Sequence, residues 1–305
     1  MAPDASINDR AYGTLVGMAI GDALGMPTQT LTREQIRDHY GDITEFVAPF
    51  NTHPVSHGLY AGQVTDDTEQ ALLLAQRLIA GQGRIDEAQL AKDLLAWEAD
   101  VKGRGLRDLL GPSSKAALDA MLTGTPISQT GRNGTTNGAA MRIAPVGIAT
   151  PVTPLTAFVD QVELACRMTH NTGEAIAGAA AVAAVISCGV EGQGCDTAVK
   201  TALQAAKEGQ SRGHAVGESD MAARIAHALS AAENGTDIND FAAEIGTSVA
   251  SHESVAAAFG VVRLAGGDPW KATLIAANIG DDTDTIGAIS GAMAAACSGS
   301  AAIPK

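Results

Sequence analysis

The sequence predicts an all-α fold in which many short helices pack closely within a single domain spanning residues 1–305. Three observations carry this expectation. Apolar residues recur at helical spacing, while alternating runs bounded by hairpin turns are nearly absent. Aromatic residues make up only 3% of the chain and alanine is abundant, so an interior must be built from small side chains at short separations. Glycine returns every fourth residue at Gly13, Gly17, Gly21 and Gly25, which leaves a bare stripe turning slowly around a helix. Each of these glycines costs roughly 1 kcal/mol relative to alanine in a helix interior, so close approach by a neighbouring backbone is the expected compensation. Gly287 and Gly291 repeat the device.

The glycine-striped helix comes first in the chain. Asp22 lies within it among Ile20, Ala23 and Leu24, where an acid is expected to hold a backbone group or a metal-bound water rather than to face solvent. Thr44 to Gln63, with Pro49, Pro54, Gly58 and Gly62, reads as non-helical, and this places His53 and His57 in a loop despite their four-residue spacing. A helix then begins near Asp66. Its expected start is a reciprocal cap, Asp66-x-x-Glu69, which leaves Asp67 over; Leu72, Ala75 and Ile79 form one face with Leu74 and Leu78 beside it, and Gly81 and Gly83 end it. Further helices are predicted at 87–99, 113–122, 155–168, 173–188, 196–208, 219–233, 238–249, 253–265 and 269–277. Gly124 to Gly138, rich in Gly, Thr and Asn, runs into Ala139-Ala140-Met141-Arg142. It reads either as a surface turn or as a loop whose free N–H groups hold phosphates and sugar hydroxyls. The closing helix, Ile286 to Met293, is too apolar and small-sided for a solvated surface element.

Acidic residues number 34 against 20 basic ones, a formal charge of −14, which makes nucleic acid and anionic membranes poor partners. A small phosphate-bearing molecule would need local help from a cation or from helix N-termini. No Ser/Gly-rich, Pro-rich or charge-block linker divides the chain. Cys166, Cys188, Cys195 and Cys297 show no metal spacing and read as small core residues of a reduced protein. Met1-Ala2-Pro3-Asp4 lacks the basic and apolar regions of a secretory signal. The uncharged stretches Ala175 to Val190 and Thr285 to Pro304 are weakly hydrophobic and read as buried helices. A cytoplasmic monomer or small homo-oligomer is therefore expected. Walker, dinucleotide, zincin and nucleophile-elbow motifs are lacking.

Two short acidic clusters carry the chemistry: Thr65-Asp66-Asp67-Thr68 and Asp282-Thr283-Asp284-Thr285. Each is compatible with a helix N-terminus that caps itself. If folding brings them together, their carboxylates and hydroxyls form an all-oxygen site suited to a hard divalent cation such as Mg²⁺, Mn²⁺ or Ca²⁺. Buried acids at the mouths of two apolar helices need such a partner or must take up protons.

As a set, Gly17 to Pro27, the two acidic clusters, Asn137 to Pro145 and Thr169-His170 resemble the ADP-ribosylglycohydrolase superfamily in the right order, from about residue 11 onward. Leu110 to Lys115 and Asn133 to Asn137 are similar to a bacterial subgroup often encoded beside nucleoside transporters and sugar kinases. The resemblance implies an orthogonal all-α bundle with two adjacent Mg²⁺ or Mn²⁺ ions at its centre. It implies metal ligation by Thr65, Asp66, Asp67, Asp282, Asp284 and Thr285. A pocket for ribose and diphosphate would be lined by Asn137, Gly138 and Ala139, with His170 at its edge. Two departures stand out. Gln29 occupies a position where many members have a glutamate, and glutamine is no general base, so Asp66 or Asp67 is expected to help deprotonate water. Asp281 stands where the family usually has glycine. The expected activity is cleavage of a ribosyl glycosidic bond, releasing ADP-ribose from a modified side chain or small molecule. The alternatives are a hydrolase of free nucleoside-like ribosides and a non-catalytic ADP-ribose or nucleotide binder.

Overall fold

In the computed structural model, which describes residues 6–106, 110–217 and 219–304, the chain is all-α. Sixteen α-helices and no strand are found among the described residues, with three isolated bridges, Leu31 to Asp281, Thr136 to Ala250 and Thr172 to His214. Helices α1 (Ile7–Gly25), α10 (Gly173–Val190) and α16 (Thr283–Ser298) form the centre, and α3 (Asp66–Ala80), α14 (Ser251–Leu264) and α15 (Pro269–Ala277) pack around them. Helix α10 is long and apolar enough to cross a membrane by composition, but it is buried along its whole length as the core helix of this fold.

The glycine stripe explains the tightest contact. A Cβ on Gly21 would lie 2.0 Å from the Gly287 carbonyl oxygen, and one on Gly17 would lie 2.5 Å from that of Gly291. Helices α1 and α16 thus touch backbone to backbone through the two glycine sets. Gly25 continues the stripe against Thr283 and Asp284, where a Cβ would sit 2.5 Å from the Asp284 Cα.

Helix α3 departs from its sequence reading in two ways. Its N-cap position, Thr65, makes no side-chain cap bond, and Glu69 does not close a reciprocal cap. Glu69 instead accepts from Trp97 Nε1 at 2.6 Å and from Arg104 Nη1 and Nη2 at 3.0 and 2.8 Å. The buried face runs through Asp67, Ala71, Leu74 and Leu78, while Leu72 and Ile79 are exposed. The helix is rotated so that its acidic start points inward, and the apolar residues one helical repeat away from Asp67 go with it.

Smaller differences follow from glycine. The helix expected over 238–249 stops at α13 (Ile238–Ile245), because Gly246 adopts φ +84. The segment 124–138 contains one helical turn, α6 (Ile127–Thr130), and leads into the four-residue α7 (Gly138–Met141). Its glycines serve packing: a Cβ on Gly131 or Gly134 would come within 2.2 Å of the Arg167 or Thr169 carbonyl oxygen. The N–H groups of Gly134, Thr136 and Asn137 are already bonded within the protein. The remaining helices are α2 (Arg33–Tyr40), α4 (Glu87–Gly103), α5 (Pro112–Leu122), α8 (Ala144–Ala149), α9 (Leu155–Cys166), α11 (Cys195–Gln210) and α12 (Met221–Glu233).

Candidate active site

The two acidic clusters meet. Asp66 and Asp67 at the start of α3, and Asp282, Asp284 and Thr285 at the start of α16, line one cavity of about 180 Å³ with Gln29, Asn137 and Gly138. All four carboxylates are buried. A larger cavity, about 540 Å³ and walled mainly by apolar side chains around Cys195 and Cys297, holds none of these acids.

Helix α1 positions both clusters. Asp22, fully buried, accepts from the Thr65 N–H at 3.0 Å and hydroxyl at 2.7 Å, and from the Thr68 N–H at 3.1 Å and hydroxyl at 2.5 Å. An acid on one helix thereby caps another, which is why α3 needs no cap of its own. One turn further on, Gly25 lets the Thr283–Asp284 backbone close against α1. Removing the Asp22 carboxylate would strand several buried donors, and Asp22→Ala is expected to destabilise the protein by about 3 kcal/mol or more. Urea denaturation checks this, and a change within experimental error would show that the cap is not needed.

Burial dominates the electrostatics of these acids. Burial pushes Asp66 well above the ordinary carboxylate range, with Asp22 and Asp282 adding to it. Burial and then Asp284 do the same for Asp67, and burial and then Asp282 for Asp284. Asp282 is pushed up to about 7 by burial, opposed by its hydrogen bond from Asn137. Asp22 is pushed up to about 6 by burial, against the Thr68 and Thr65 bonds. Two buried oxygens, Asp67 Oδ1 and Asp284 Oδ1, have no hydrogen-bond partner among the described residues.

Those unpartnered oxygens and the all-oxygen donor set fit a hard divalent cation. The carboxylates share the cavity without being drawn up around one point, since no group of three His, Cys, Asp or Glu among the described residues is arranged to hold an ion.

Other expected site residues are distributed less simply. Asn137 lies in the wall, its Nδ2 donating to Ser254 Oγ at 2.8 Å and to Asp282 Oδ2. Gln29 also lines the cavity and donates through Nε2 to Ser56 Oγ at 3.0 Å. Thr65 is turned toward Asp22 and lies outside the cavity wall. Ala139 is fully buried in the hydrophobic core, and His170 stands behind Gly138, where a Cβ would lie 2.7 Å from the His170 Cε1. Neither Ala139 nor His170 reaches the cavity surface, where the turn into α7 presents Thr136, Asn137, Gly138 and Met141. Asp281 is exposed and outside the cavity; its φ of +65 explains why glycine suits this position.

A buried polar chain behind the site carried no local signal beyond an arginine in an apolar run. Arg142 donates from Nη1 to Gln70 Oε1 at 3.1 Å and from Nη2 to Thr169 Oγ1 at 2.6 Å. Gln70 in turn donates to Asp66 Oδ2 at 3.4 Å, and His170 lies between Thr169 and Thr136. Burial, with Arg142 beside it, holds His170 well below its ordinary pKa and hence neutral.

An all-α fold whose paired acidic helix starts share one buried cavity defines a class of hydrolytic sites, and comparison with known proteins identifies it. The family model for ADP-ribosylglycohydrolase matches residues 3–305, and this chain belongs to that family of glycosidic-bond hydrolases. The chain is 35% identical over 300 residues to the uncharacterized protein YegU of Escherichia coli K12, covering 97% of this chain and 89% of that one. It is 33% identical over 172 residues to the ADP-ribosyl-[dinitrogen reductase] glycohydrolase of Rhodospirillum rubrum, covering 54% and 53%. A solved structure described as an ADP-ribosylglycohydrolase-related protein complex superposes with a TM-score of 0.70 at 25% identity, covering 98% of this chain and 90% of that one.

Proposed function

We propose that the protein is a divalent-cation-dependent enzyme that cleaves a ribosyl glycosidic bond, removing ADP-ribose from a modified side chain or small molecule. The supporting observation is the meeting of two acidic clusters, far apart in the sequence, on one buried cavity. The relationship to a glycohydrolase acting on an ADP-ribosylated protein favours this over free ribosides.

Asp66, Asp67, Asp282 and Asp284, with the Thr285 hydroxyl, would hold Mg²⁺ or Mn²⁺, which would supply Lewis acidity toward the ribose hydroxyls and a water at the anomeric carbon. Asp66 or Asp67, which burial otherwise keeps protonated, would accept the proton of the attacking water once ionised beside the bound cation. The bond from the anomeric carbon to the aglycone breaks through an oxocarbenium-like transition state, its electron pair leaves with the aglycone, and the aglycone takes a proton from solvent. Asn137 fixes Asp282 and Asp22 fixes the start of α3, so the carboxylates are oriented before substrate arrives. Gln29 can hydrogen-bond in this wall but cannot take a proton.

That last property supports a second reading, a cation-dependent ADP-ribose binder without turnover. Purified protein incubated with ADP-ribosylated protein, an ADP-ribosylated small molecule and nucleosides, in Mg²⁺, Mn²⁺ or chelator, separates the two when released ADP-ribose or ribose is measured. Cation-dependent release is expected from the unmodified chain, and Gln29→Glu should raise it for at least one substrate, by up to about 10²–10⁴-fold. No turnover by either form, with tight ADP-ribose binding by both, would establish the binder. Equal ADP-ribose binding with and without chelator would refute a cation-anchored ribose.

A further inference from the structure

Each acidic cluster is met by one buried side-chain amide. Asn137 reaches Asp282 from the cavity wall, while Gln70, one helical turn after Asp66 on α3, reaches Asp66 without lining the cavity. An amide has two ends, and its effect on a carboxylate depends on which is presented: the N–H attracts and the oxygen repels.

At Gln70 that choice is imposed from the other side. Arg142 carries donors and no acceptor, and its Nη1 stands 3.1 Å from Gln70 Oε1. The oxygen must therefore face the guanidinium, which turns Nε2 toward Asp66 Oδ2 at 3.4 Å. At that length the bond directs the carboxylate more than it anchors it. Arg142 is itself held fast, since its Nη2 donates to Thr169 Oγ1 at 2.6 Å and to the Ala165 carbonyl oxygen at 3.3 Å, and the side chain is buried.

All three of these acceptors are uncharged. A guanidinium buried among neutral partners is costly unless negative charge lies nearby. Burial lowers the Arg142 pKa, and the attraction of Cys166 and then Asp66 works against that shift. The acidic cluster thus has a cation behind it, kept one amide away. That separation has a chemical use. A direct arginine fork would engage both oxygens of Asp66 and set a fixed positive charge against any bound ion. Gln70 instead passes on the orientation set by Arg142 and engages one oxygen.

We propose that Gln70 is a positioning residue for the cation site: turned by Arg142, it fixes the direction of the Asp66 carboxylate and leaves the remaining lone pairs for the cation. The inference rests on the reading of the acids as a divalent-cation site.

The test is calorimetric binding of Mn²⁺ alone to the unmodified protein, Gln70→Glu and Gln70→Met, with the electron paramagnetic resonance spectrum of the bound ion recorded at saturation. Gln70→Glu still gives Arg142 an acceptor but has no N–H for Asp66, and its added negative charge by itself would tighten Mn²⁺ binding. Lost positioning should weaken it instead, by roughly 10–100-fold, and should alter the spectrum. Gln70→Met removes both ends of the amide without adding charge, should act in the same direction, and provides the answer if Gln70→Glu does not fold. A folded variant that binds Mn²⁺ as tightly as the unmodified protein, or more tightly, overturns the role of Gln70 and leaves the cation site standing. Absence of Mn²⁺ binding by the unmodified protein overturns the cation reading, and this inference with it.

Discussion

Asp67→Asn should abolish cation-dependent hydrolysis while making the cation-free protein more stable. The two effects have one cause. Burial, reinforced by Asp284, holds the Asp67 carboxyl well above its ordinary value of 3.8. A carboxyl with a raised folded-state pKa keeps a proton that the unfolded chain has released, so stability falls as pH rises from the unfolded value toward the folded one. Asp22, at about 6, and Asp282, at about 7, act in the same sense. Without cations, stability should therefore decline from about pH 4 toward neutrality, and an isosteric amide at position 67 should remove part of that decline. Activity should fall by about 10³-fold or more, because the change removes a proton acceptor and a cation ligand together. Thermal denaturation in chelator across pH, with turnover in Mg²⁺ or Mn²⁺, measures both. Near-normal turnover, or a cation-free Tm at neutral pH below that of the unmodified protein, would contradict the role given to Asp67.

This opposition between stability and chemistry bears on what was legible in the sequence. Two clusters of acids and threonines at the mouths of apolar helices identify themselves by type, since nothing local compensates them. Their meeting required only that folding bring two helix starts together. The role of Asp22 as a buried acceptor of backbone N–H groups was legible too, but not which helix it would hold. Asp22 caps α3 from 43 positions away, a relation with no local period, so the nearer pairing of Asp66 with Glu69 looked better than it is. The same inward turn of the acids puts Leu72 and Ile79 on the surface, against the face that apolar spacing suggested. In the 124–138 segment, glycines that read as one source of free N–H groups for a ligand instead admit the Arg167 and Thr169 carbonyls. Glycine content reveals that something comes close, and tertiary structure decides what.

At Gly21 that principle has its largest consequence. Gly21→Ala should destabilise the protein by about 3 kcal/mol or more, at the upper end of overpacking effects. The added Cβ would lie 2.0 Å from the Gly287 carbonyl oxygen and 2.2 Å from its carbonyl carbon, and backbone cannot swing aside as a side chain can. Relief requires α1 and α16 to separate, and these helices carry Asp22 and Asp284 respectively. The damage should therefore appear as weakened cation stabilisation as well as a lower denaturation midpoint. Gly103→Ala is the matched control: it lies at the end of α4, with nothing within 4 Å of an added Cβ. There the helix propensity of alanine should leave stability unchanged or raise it by up to about 1 kcal/mol. If Gly21→Ala proves as stable as Gly103→Ala, the two central helices do not meet backbone to backbone, and the glycine stripe needs another explanation.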